Sequence, residues 1–480
     1  MEDGKDIADH AIDYGLSKGA SYIEARFVDS RDESYSARNG VILAAGVTPL
    51  RGIAIRVLAG GGMGFYSTAR LKKSIVEKKI QEAIKLAKVS KRKNPIAFSE
   101  EQTAQTKWKT PIKRKFEDVA IEEKQKFIID LDKRLNKEFR LKLPTRTTIL
   151  DLYSDKKYIV NSEGSKVESE NSLISAISFN TAKSKMGGEQ RTLWLGASGG
   201  WEWIGEKNVE EIVFQDNLAV VKAASSALNM NLGKVDVVIS GEVSGIMAHE
   251  NVGHPSEADR ILGREGAQAG ESFYFDLLKE GKLGEIKMGN EAVSIVDDPT
   301  IPGSSGFYLF DDECVKARPR YLIKNGLLNE LLLNREYASK FGVKSNAAAR
   351  AINYKNEPIS RMANTFFKPG DYSLEELFED IKDGIYMKSF TEWNIDDRRF
   401  QSKYVGLEAY LIKDGELTDT MIRRPVLELT TFGILNNVDA VSKETTNFLG
   451  YCGKGDPMQG VPVWMGGPHL RLRNIRLGGV

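Results

Sequence analysis

Residues 235–254 read VDVVISGEVSGIMAHENVGH, and they predict an apolar strand that leads directly into a helix. The run from Val235 to Ser240 is short and β-branched, which is typical of a buried strand. We expect residues 244–252 to form a short helix. A strand-to-helix step exposes the start of the helix at the end of a sheet, where polar ligands can gather. We therefore expect the functional site of the chain at this strand-to-helix step.

Two of the four histidines of the chain, His249 and His254, lie in this stretch, and Glu250 follows the first directly. Histidine is the commonest metal ligand, and a glutamate beside a ligating histidine is the usual general base of zinc hydrolases. On a regular helix, residues five apart point roughly 140° away from each other. Gly253 and Pro255 predict that the helix ends between the histidines and that His254 lies on the bend leaving it.

A catalytic zinc site needs a third protein ligand and one open position. Candidates in the sequence are Glu257, Asp259 and the two cysteines, Cys314 and Cys452. The acidic neighbours of Cys314 should raise its pKa and make it a poor thiolate. Cys452 lies between glycines and close to a lysine, which favours the thiolate, although a buried inert thiol is the commoner fate of a free cysteine.

Four segments of the chain resemble motifs of one known family. They are MAHENVGHPSEADR at residues 247–260, YCGKGDPMQGVPV at residues 451–463, RMANT at residues 361–365 and GIAIRV at residues 52–57. The first resembles the H-E-x-x-x-H signature of the TldD family of zinc metallopeptidases, and the second resembles the cysteine motif of that family. The matches span nearly the whole chain in the order of the family.

The resemblance implies a zinc-dependent metallopeptidase that cleaves flexible or unfolded peptides. It implies one zinc ion per chain, held by His249, His254 and Cys452, with Glu250 as the base that activates water. We expect the three ligating atoms to lie within about 4 Å of each other even without metal. Cys314 should be remote from them.

The roles of three further residues are less defined. Glu257 either orients a ligand or makes a surface salt bridge. Arg361 and Asn364 either contact the main chain of the substrate or belong to a purely structural strand.

The resemblance also implies a partner chain. A related branch, called TldE or PmbA, lacks the metal motif and pairs with TldD as a heterodimer. This sequence keeps every metal residue, so it resembles the catalytic partner, and a homodimer is the alternative. The older family label, modulator of DNA gyrase, reflects peptide substrates that act on gyrase and not DNA binding.

Composition limits the other functional classes. The 480 residues include 68 Lys and Arg against 67 Asp and Glu, which gives a formal net charge of +1. Such a balance argues against a nucleic-acid or membrane binder. The sequence has no long apolar run, no hydrophobic signal region and only two cysteines. These features predict a cytoplasmic protein without a disulfide framework.

The order of the predicted elements indicates an α+β protein of two domains. Residues 1–230 should form an α/β domain, with a hairpin turn at Asn39-Gly40. Residues 231–480 read as short strands and turns, which predicts a β-rich antiparallel sandwich or barrel that carries the metal site. One helix is expected there over residues 373–382.

Two other functions fit the same residues. The chain could be a non-catalytic scaffold or partner-binding subunit with a structural metal, although such sites are closed by four protein ligands. It could also be a zinc enzyme that acts on a non-peptide amide.

Overall fold

The computed structural model describes residues 2–267 and 269–478. The first part of the chain contains five α-helices and seven strands within these residues. The helices are α1 (Glu2–Ser17), α2 (Lys73–Val89), α3 (Ile121–Phe139), α4 (Trp203–Glu206) and α5 (Val209–Ser226). The strands are β1 (Tyr22–Arg38), β2 (Val41–Ala59), β3 (Gly62–Thr68), β4 (Gln105–Lys109), β5 (Thr145–Asn161), β6 (Lys166–Ser184) and β7 (Gly187–Ser198).

The seven strands form one sheet in the order β3-β2-β1-β5-β6, and β4 and β7 share the far edge of β6. All pairs are antiparallel except β4 with β6, which is parallel. The predicted hairpin turn joins β1 to β2, where Asn39 and Gly40 have φ values of 49° and 79°. Two successive positive φ values match the twist of a two-residue hairpin, which is why Asn-Gly is favoured there. The turn prediction is therefore confirmed.

Within the described residues, helices cover one face of this sheet. In β1 the odd-numbered residues Ile23, Phe27 and Tyr35 belong to the cores beneath the helices. Because successive side chains of a strand point to opposite faces, the even-numbered residues of β1 face the second part of the chain. Glu24 and Arg26 are buried on that face, and Arg26 donates to the backbone of Asn353 and Asn356.

The second part contains the remaining described elements. The strands are β8 (Lys234–Ile239), β9 (Ile295–Asp297), β10 (Arg320–Lys324), β11 (Leu327–Leu328), β12 (Ala349–Arg350), β13 (Ile359–Ser360), β14 (Asn364–Phe367), β15 (Asp383–Met387), β16 (Phe390–Ile395), β17 (Gln401–Gly406), β18 (Ala409–Lys413), β19 (Glu416–Met421), β20 (Val426–Thr430), β21 (Val438–Lys454) and β22 (Gln459–Gly478). The helices are α6 (Gly241–Ala248), α7 (Ala258–Ile261), α8 (Tyr274–Glu280), α9 (Arg335–Phe341) and α10 (Thr431–Asn437).

Thirteen of these strands form one sheet in the described residues, with β22 as its centre. The long strand β22 pairs with β8, β14, β20 and β21. Most pairs are antiparallel, but β14 with β22 and β8 with β15 are parallel. The α+β class with a β-rich second part is thus confirmed, and the sheet is mixed because long connections carry the chain back in the same direction.

The two parts of the chain share a hydrophobic core. Leu407 and Met421 of the second part pack in the cluster formed by α3, α5 and the first sheet. The division at residue 230 stays a prediction.

The helix expected over residues 373–382 is wrong. Leu377, Phe378 and Ile381 are buried, as its apolar face would be. The backbone instead makes successive turns, with Phe378 N donating to Glu375 O and Ile381 N donating to Phe378 O, each at 2.9 Å. Bonds to the third residue back form tight turns, so the apolar spacing indicated burial but not a helix.

Candidate metal centre

Helix α6 begins at the end of strand β8, and the two histidines follow this helix in the chain. Ser240 ends the strand and caps the helix, because its hydroxyl accepts a hydrogen bond from Glu242 N at 3.1 Å. Two glycines let α6 lie directly on β22. A Cβ at Gly241 would meet Gly467 O at 2.1 Å, and one at Gly245 would meet Gly466 N at 2.3 Å.

A single π-helical turn, His249–Gly253, follows α6 and brings the two histidines together. The N–H of His254 donates to the carbonyl of His249, five residues earlier. This bond widens the helix, so residues five apart fall on one face. The two imidazole centroids lie 4.8 Å apart with their planes at 83°.

The expectation that Pro255 pushes His254 out of the helical region is wrong. His254 has φ −61° and ψ −45°, and a 3₁₀ turn, His254–Ser256, continues the chain. Proline disfavours this conformation for the preceding residue, but tertiary contacts compensate. Ser256 Oγ donates to Val252 O at 2.7 Å, which satisfies a carbonyl in the widened turn. Asn251 anchors the same turn, and Tyr404 donates to its side-chain oxygen at 2.6 Å.

Cys452 on β21 completes a three-residue cluster. Its Sγ lies 3.5 Å from His254 Nε2, and the candidate ligand atoms of His249, His254 and Cys452 all lie within 4.8 Å of one another. This spread is somewhat larger than the 4 Å expected. His249 Nδ1 is buried without a hydrogen-bond partner in the part of the chain that the structure describes. Two imidazoles and one thiolate are donors that zinc accepts, so the residues present fit that metal.

Buried charges hold the second histidine in one orientation. His254 Nδ1 donates to Glu257 Oε2 at 3.0 Å, which leaves Nε2 facing Cys452. Glu257 is fully buried and also accepts from Arg260 Nε at 2.7 Å, so it is not a surface residue. Burial alone would raise the pKa of Glu257, but Lys454, His254 and Arg260 hold it well below its usual range.

The protonation of the first histidine and of the cysteine suits metal binding. Burial lowers the pKa of His249, although Glu250 and Glu257 act in the opposite direction. Burial raises the pKa of Cys452, but His254 and Arg361 lower it to about 7. A neutral imidazole and a deprotonated thiol are the forms that bind metals.

Glu250 faces the same space from the π turn and is 7% exposed. Its Oε2 accepts from Arg399 Nη1. Burial raises the pKa of Glu250, but His254, His249 and Arg399, together with a hydrogen bond from Trp393, lower it below its ordinary value. The carboxylate is therefore ionised at neutral pH.

The cluster opens into a cavity of about 430 Å³ between the two parts of the chain. Strand β7 of the first sheet supplies one wall, and β16, β21 and β22 supply others. Apart from the histidines, five aromatic side chains line this cavity, namely Trp194, Phe390, Trp393, Phe448 and Tyr451. Such a mixture of apolar walls and a few polar groups is typical of a ligand site.

Arg361 and Asn364 are both fully buried, and neither is among the residues that line this cavity. Arg361 donates to the backbone carbonyls of Gln459 and Cys452. Asn364 donates to Ser304 Oγ at 2.9 Å and accepts from Gly306 N at 3.0 Å. Both side chains thus bind the chain itself.

Cys314 lies in a different core, beside Ile159 and Val167, and it is absent from the cluster. Burial and its acidic neighbours raise the pKa of Cys314 well above the ordinary thiol value. Sequence reasoning missed Arg399 and Trp393 entirely. They are more than 140 residues from Glu250, and no motif surrounds them.

A family model described as the PmbA/TldA metallopeptidase C-terminal domain matches residues 232–479, and one described as domain 1 matches residues 23–88. The first match alone covers more than half of the chain. The chain belongs to the PmbA/TldD metallopeptidase family. It is accordingly a metalloprotease, and its cluster of two histidines and a cysteine fits a metal.

Relatives and solved structures agree with this assignment. A metalloprotease of Methanocaldococcus jannaschii is 35% identical over 88% of this chain and 89% of its own length. A zinc metalloprotease TldD homolog of Saccharolobus solfataricus is 35% identical over 52% of each chain. The crystal structure of TldE from Thermococcus kodakarensis shares the fold, with a TM-score of 0.75 at 17% identity over 98% of this chain and 100% of that one.

In the described residues, no helix is both long and apolar enough to cross a membrane.

Proposed function

We propose that the chain is a zinc-dependent peptidase that binds one zinc ion through His249, His254 and Cys452. The supporting observation is the juxtaposition of this three-residue cluster with Glu250 at one cavity. Among the described residues, the cluster includes no fourth protein ligand. A structural zinc site is closed by four, so this count favours catalysis over the scaffold function.

A bound zinc ion supplies Lewis acidity, which polarises a carbonyl group and acidifies water. The protein supplies the proton transfer. With Glu250 Oε2 engaged by Arg399, we assign Oε1 as the oxygen that takes a proton from water and delivers it to the leaving amine. Glu257 orients His254 through Nδ1, as carboxylates commonly do for ligating histidines.

Arg361 positions Cys452 and does not contact the substrate in this proposal. Its guanidinium binds the carbonyls of residues 452 and 459, on opposite strands of the β21–β22 hairpin. It therefore fixes the strand that carries the thiolate. Asn364 has a similar structural role in the neighbouring loop.

The proposed substrates are flexible or unfolded peptides. A folded protein surface cannot reach Glu250, which is 7% exposed and lines the cavity. An extended peptide can enter between the aromatic walls. Binding a peptide in extended form is a common use of sheet-rich sites.

We also propose that a second chain, a metal-free relative of the TldE type, completes the active complex. An open strand edge favours the binding of a partner. Strand β3 pairs with residues 53–59 of β2, which leaves one edge of residues 41–52 of β2 without a neighbouring strand in the described residues. Val41 and Leu43 on that segment are 63% and 56% exposed. Open apolar edges are normally blocked or paired. A homodimer is the alternative.

Metal analysis combined with peptide digestion tests the proposed activity. The purified chain, alone and with its candidate partner, should contain one zinc per chain and cleave unfolded casein. A chelator should abolish cleavage, and added zinc should restore it. We expect Glu250→Gln to lose about 10²- to 10⁴-fold in kcat while it retains zinc. Zinc-loaded protein that cleaves neither casein nor short peptides with its partner present would exclude a peptidase.

A further inference from the structure

The β16–β17 hairpin holds Arg399 in an unusual backbone conformation. Its φ is +62°, a region that residues other than glycine, asparagine and aspartate seldom adopt. The turn is fixed from several sides. Arg399 N donates to Asp396 O at 3.0 Å, and Asp396 Oδ1 accepts from the N–H groups of Phe400 and Gln401 at 2.6 and 2.8 Å.

This backbone conformation sends the Arg399 side chain inward. The residue is 9% exposed and lines the metal cavity with His249, His254 and Glu250. Its Nη1 donates to Glu250 Oε2, and its Nε donates to Ala269 O at 3.2 Å. The side chain of the preceding residue points outward instead. The Arg398 side chain is 49% exposed and pairs with Asp276 at the surface.

We propose that Arg399 is a positioning residue for the base Glu250, an inference that rests on the proposed peptidase function. A glutamate side chain has several rotatable bonds, and an unrestrained one beside a cavity of about 430 Å³ would adopt several orientations. A guanidinium anchored at Ala269 O and bonded to Oε2 holds the carboxylate in one of them. Proton transfer depends on such geometry.

The backbone strain supports a functional role over a purely structural one. Residues held in sparsely populated conformations cluster at active sites, where surrounding contacts enforce them. A surface turn could place a glycine or asparagine at position 399 without strain. The turn instead carries an arginine whose side chain ends at the proposed base.

A glycine at position 399 tests the role of the side chain independently of the backbone conformation. Arg399→Gly keeps the positive φ without strain and removes the whole side chain, including the guanidinium that bonds Glu250. Arg399→Lys keeps the charge but lacks the fork that bonds two oxygens at once. Arg398→Ala is the matched control, because it removes an arginine from the same turn that does not reach the cavity.

The variants should be compared for zinc content, melting temperature, kcat and KM with a short unfolded peptide. For Arg399→Gly we expect full zinc content, a retained fold with a lower melting temperature because Glu250 loses its buried partner, KM within threefold and kcat about 100-fold lower. Arg399→Lys should recover part of kcat, and so should millimolar guanidinium added to the glycine variant. Arg398→Ala should match the wild type.

The double variant Glu250→Gln with Arg399→Gly tests whether Arg399 acts through Glu250. If it does, the double variant has the kcat of Glu250→Gln alone, because effects of residues that act as a unit are not additive. A further 100-fold loss would mean that Arg399 contacts the substrate itself and would overturn the positioning role. The proposal is equally overturned if Arg399→Gly keeps kcat within threefold of wild type, or if it loses zinc or its fold.

Crystal structures of the wild type and Arg399→Gly provide a readout that needs no activity. We expect the Glu250 carboxylate to be displaced or disordered in the variant while the zinc ligands stay in place. An unchanged Glu250 would contradict the inference. An inactive wild type with a displaced Glu250 in the variant would instead reject the peptidase function and keep the positioning contact.

Discussion

The N–H of His254 donates its hydrogen bond to the carbonyl oxygen of His249, and this contact sets the geometry of the whole metal centre. In a regular helix the bond would go to Glu250 and the two imidazoles would diverge. The π turn adds one residue to the ring closed by the bond, and one nitrogen of each imidazole lies within 4.8 Å of Cys452 Sγ. The spacing of the H-E-x-x-x-H signature therefore requires this local helix geometry.

Gly253 is the residue on which the π turn depends sterically. A Cβ there would lie 1.9 Å from Met362 Sδ. We expect Gly253→Ala to cost about 1–3 kcal/mol through overpacking and to lower zinc affinity by moving His254. Melting temperature and zinc titration of the same preparations measure both effects. Gly205→Ala is the control, since nothing lies within 4 Å of its added Cβ. Normal stability and zinc content in Gly253→Ala would contradict the steric argument.

The two cysteines should differ completely in metal binding. Cys452→Ser removes the thiolate that lies 3.5 Å from His254 Nε2, so we expect zinc content to fall to near zero after dialysis. Cys314→Ser alters a buried thiol in another core, and it should keep one zinc per chain with some loss of stability. Atomic absorption of both variants decides the assignment. Equal zinc retention would show that Cys452 is not a ligand.

The carboxylate of Glu257 should tune zinc affinity without binding the ion. Glu257→Gln weakens the acceptor for His254 Nδ1, and we expect a loss of about 10–100-fold in zinc affinity. Asp259→Asn is the matched control, because Asp259 is buried and bonds the same Lys454. Competition with a chromogenic chelator gives both affinities. If the two variants lose affinity equally, the effect comes from the buried charges and not from His254.

Glu357 should make the stability fall as pH rises from about 4.5 to 7. Partial burial raises the pKa of Glu357 from an ordinary 4.5 to about 7; Arg56 acts in the opposite direction, and the carboxylates of Glu336, Glu24 and Glu313 add to the increase. Between these values the folded protein binds more protons than the unfolded chain, so the free energy of unfolding decreases with pH.

Calorimetric melting at pH 5 and pH 8 of wild type and Glu357→Gln measures this effect. We expect the variant to melt higher than wild type at pH 8 and close to it at pH 5. Glu117→Gln at the surface is the control. A variant that melts lower than wild type at pH 8 would show that the charged form of Glu357 is stabilising.

The open edge of β2 should be required for association but not for folding. Leu43→Lys places a charge on an exposed strand edge, which is the usual way to block edge pairing. We expect the partner complex to dissociate in mass photometry while the melting temperature of the isolated chain stays the same. Leu141→Lys is the control, at a site that is 86% exposed and belongs to no strand. Unchanged association in Leu43→Lys would place the interface elsewhere.

Several elements could be predicted from local sequence because their causes are local. The hairpin at Asn39-Gly40 follows from residues that tolerate positive φ, and β8 follows from a short β-branched run. The turns at residues 373–382 could not be predicted, because their apolar spacing resembles a helix and only the backbone hydrogen bonds distinguish the two.

The sequence by itself determined the residue types of the candidate metal centre, since two of four histidines flank Glu250 and the Cys452 segment resembles the family motif. Only the tertiary structure decided how His249 and His254 converge. Pro255 locally disfavours the helical conformation that His254 adopts, and packing around Gly253, Asn251 and Ser256 overrides that preference. It also decided the contact of Arg399 with Glu250, because pairing across 149 residues of chain depends on sheet packing and leaves no local pattern.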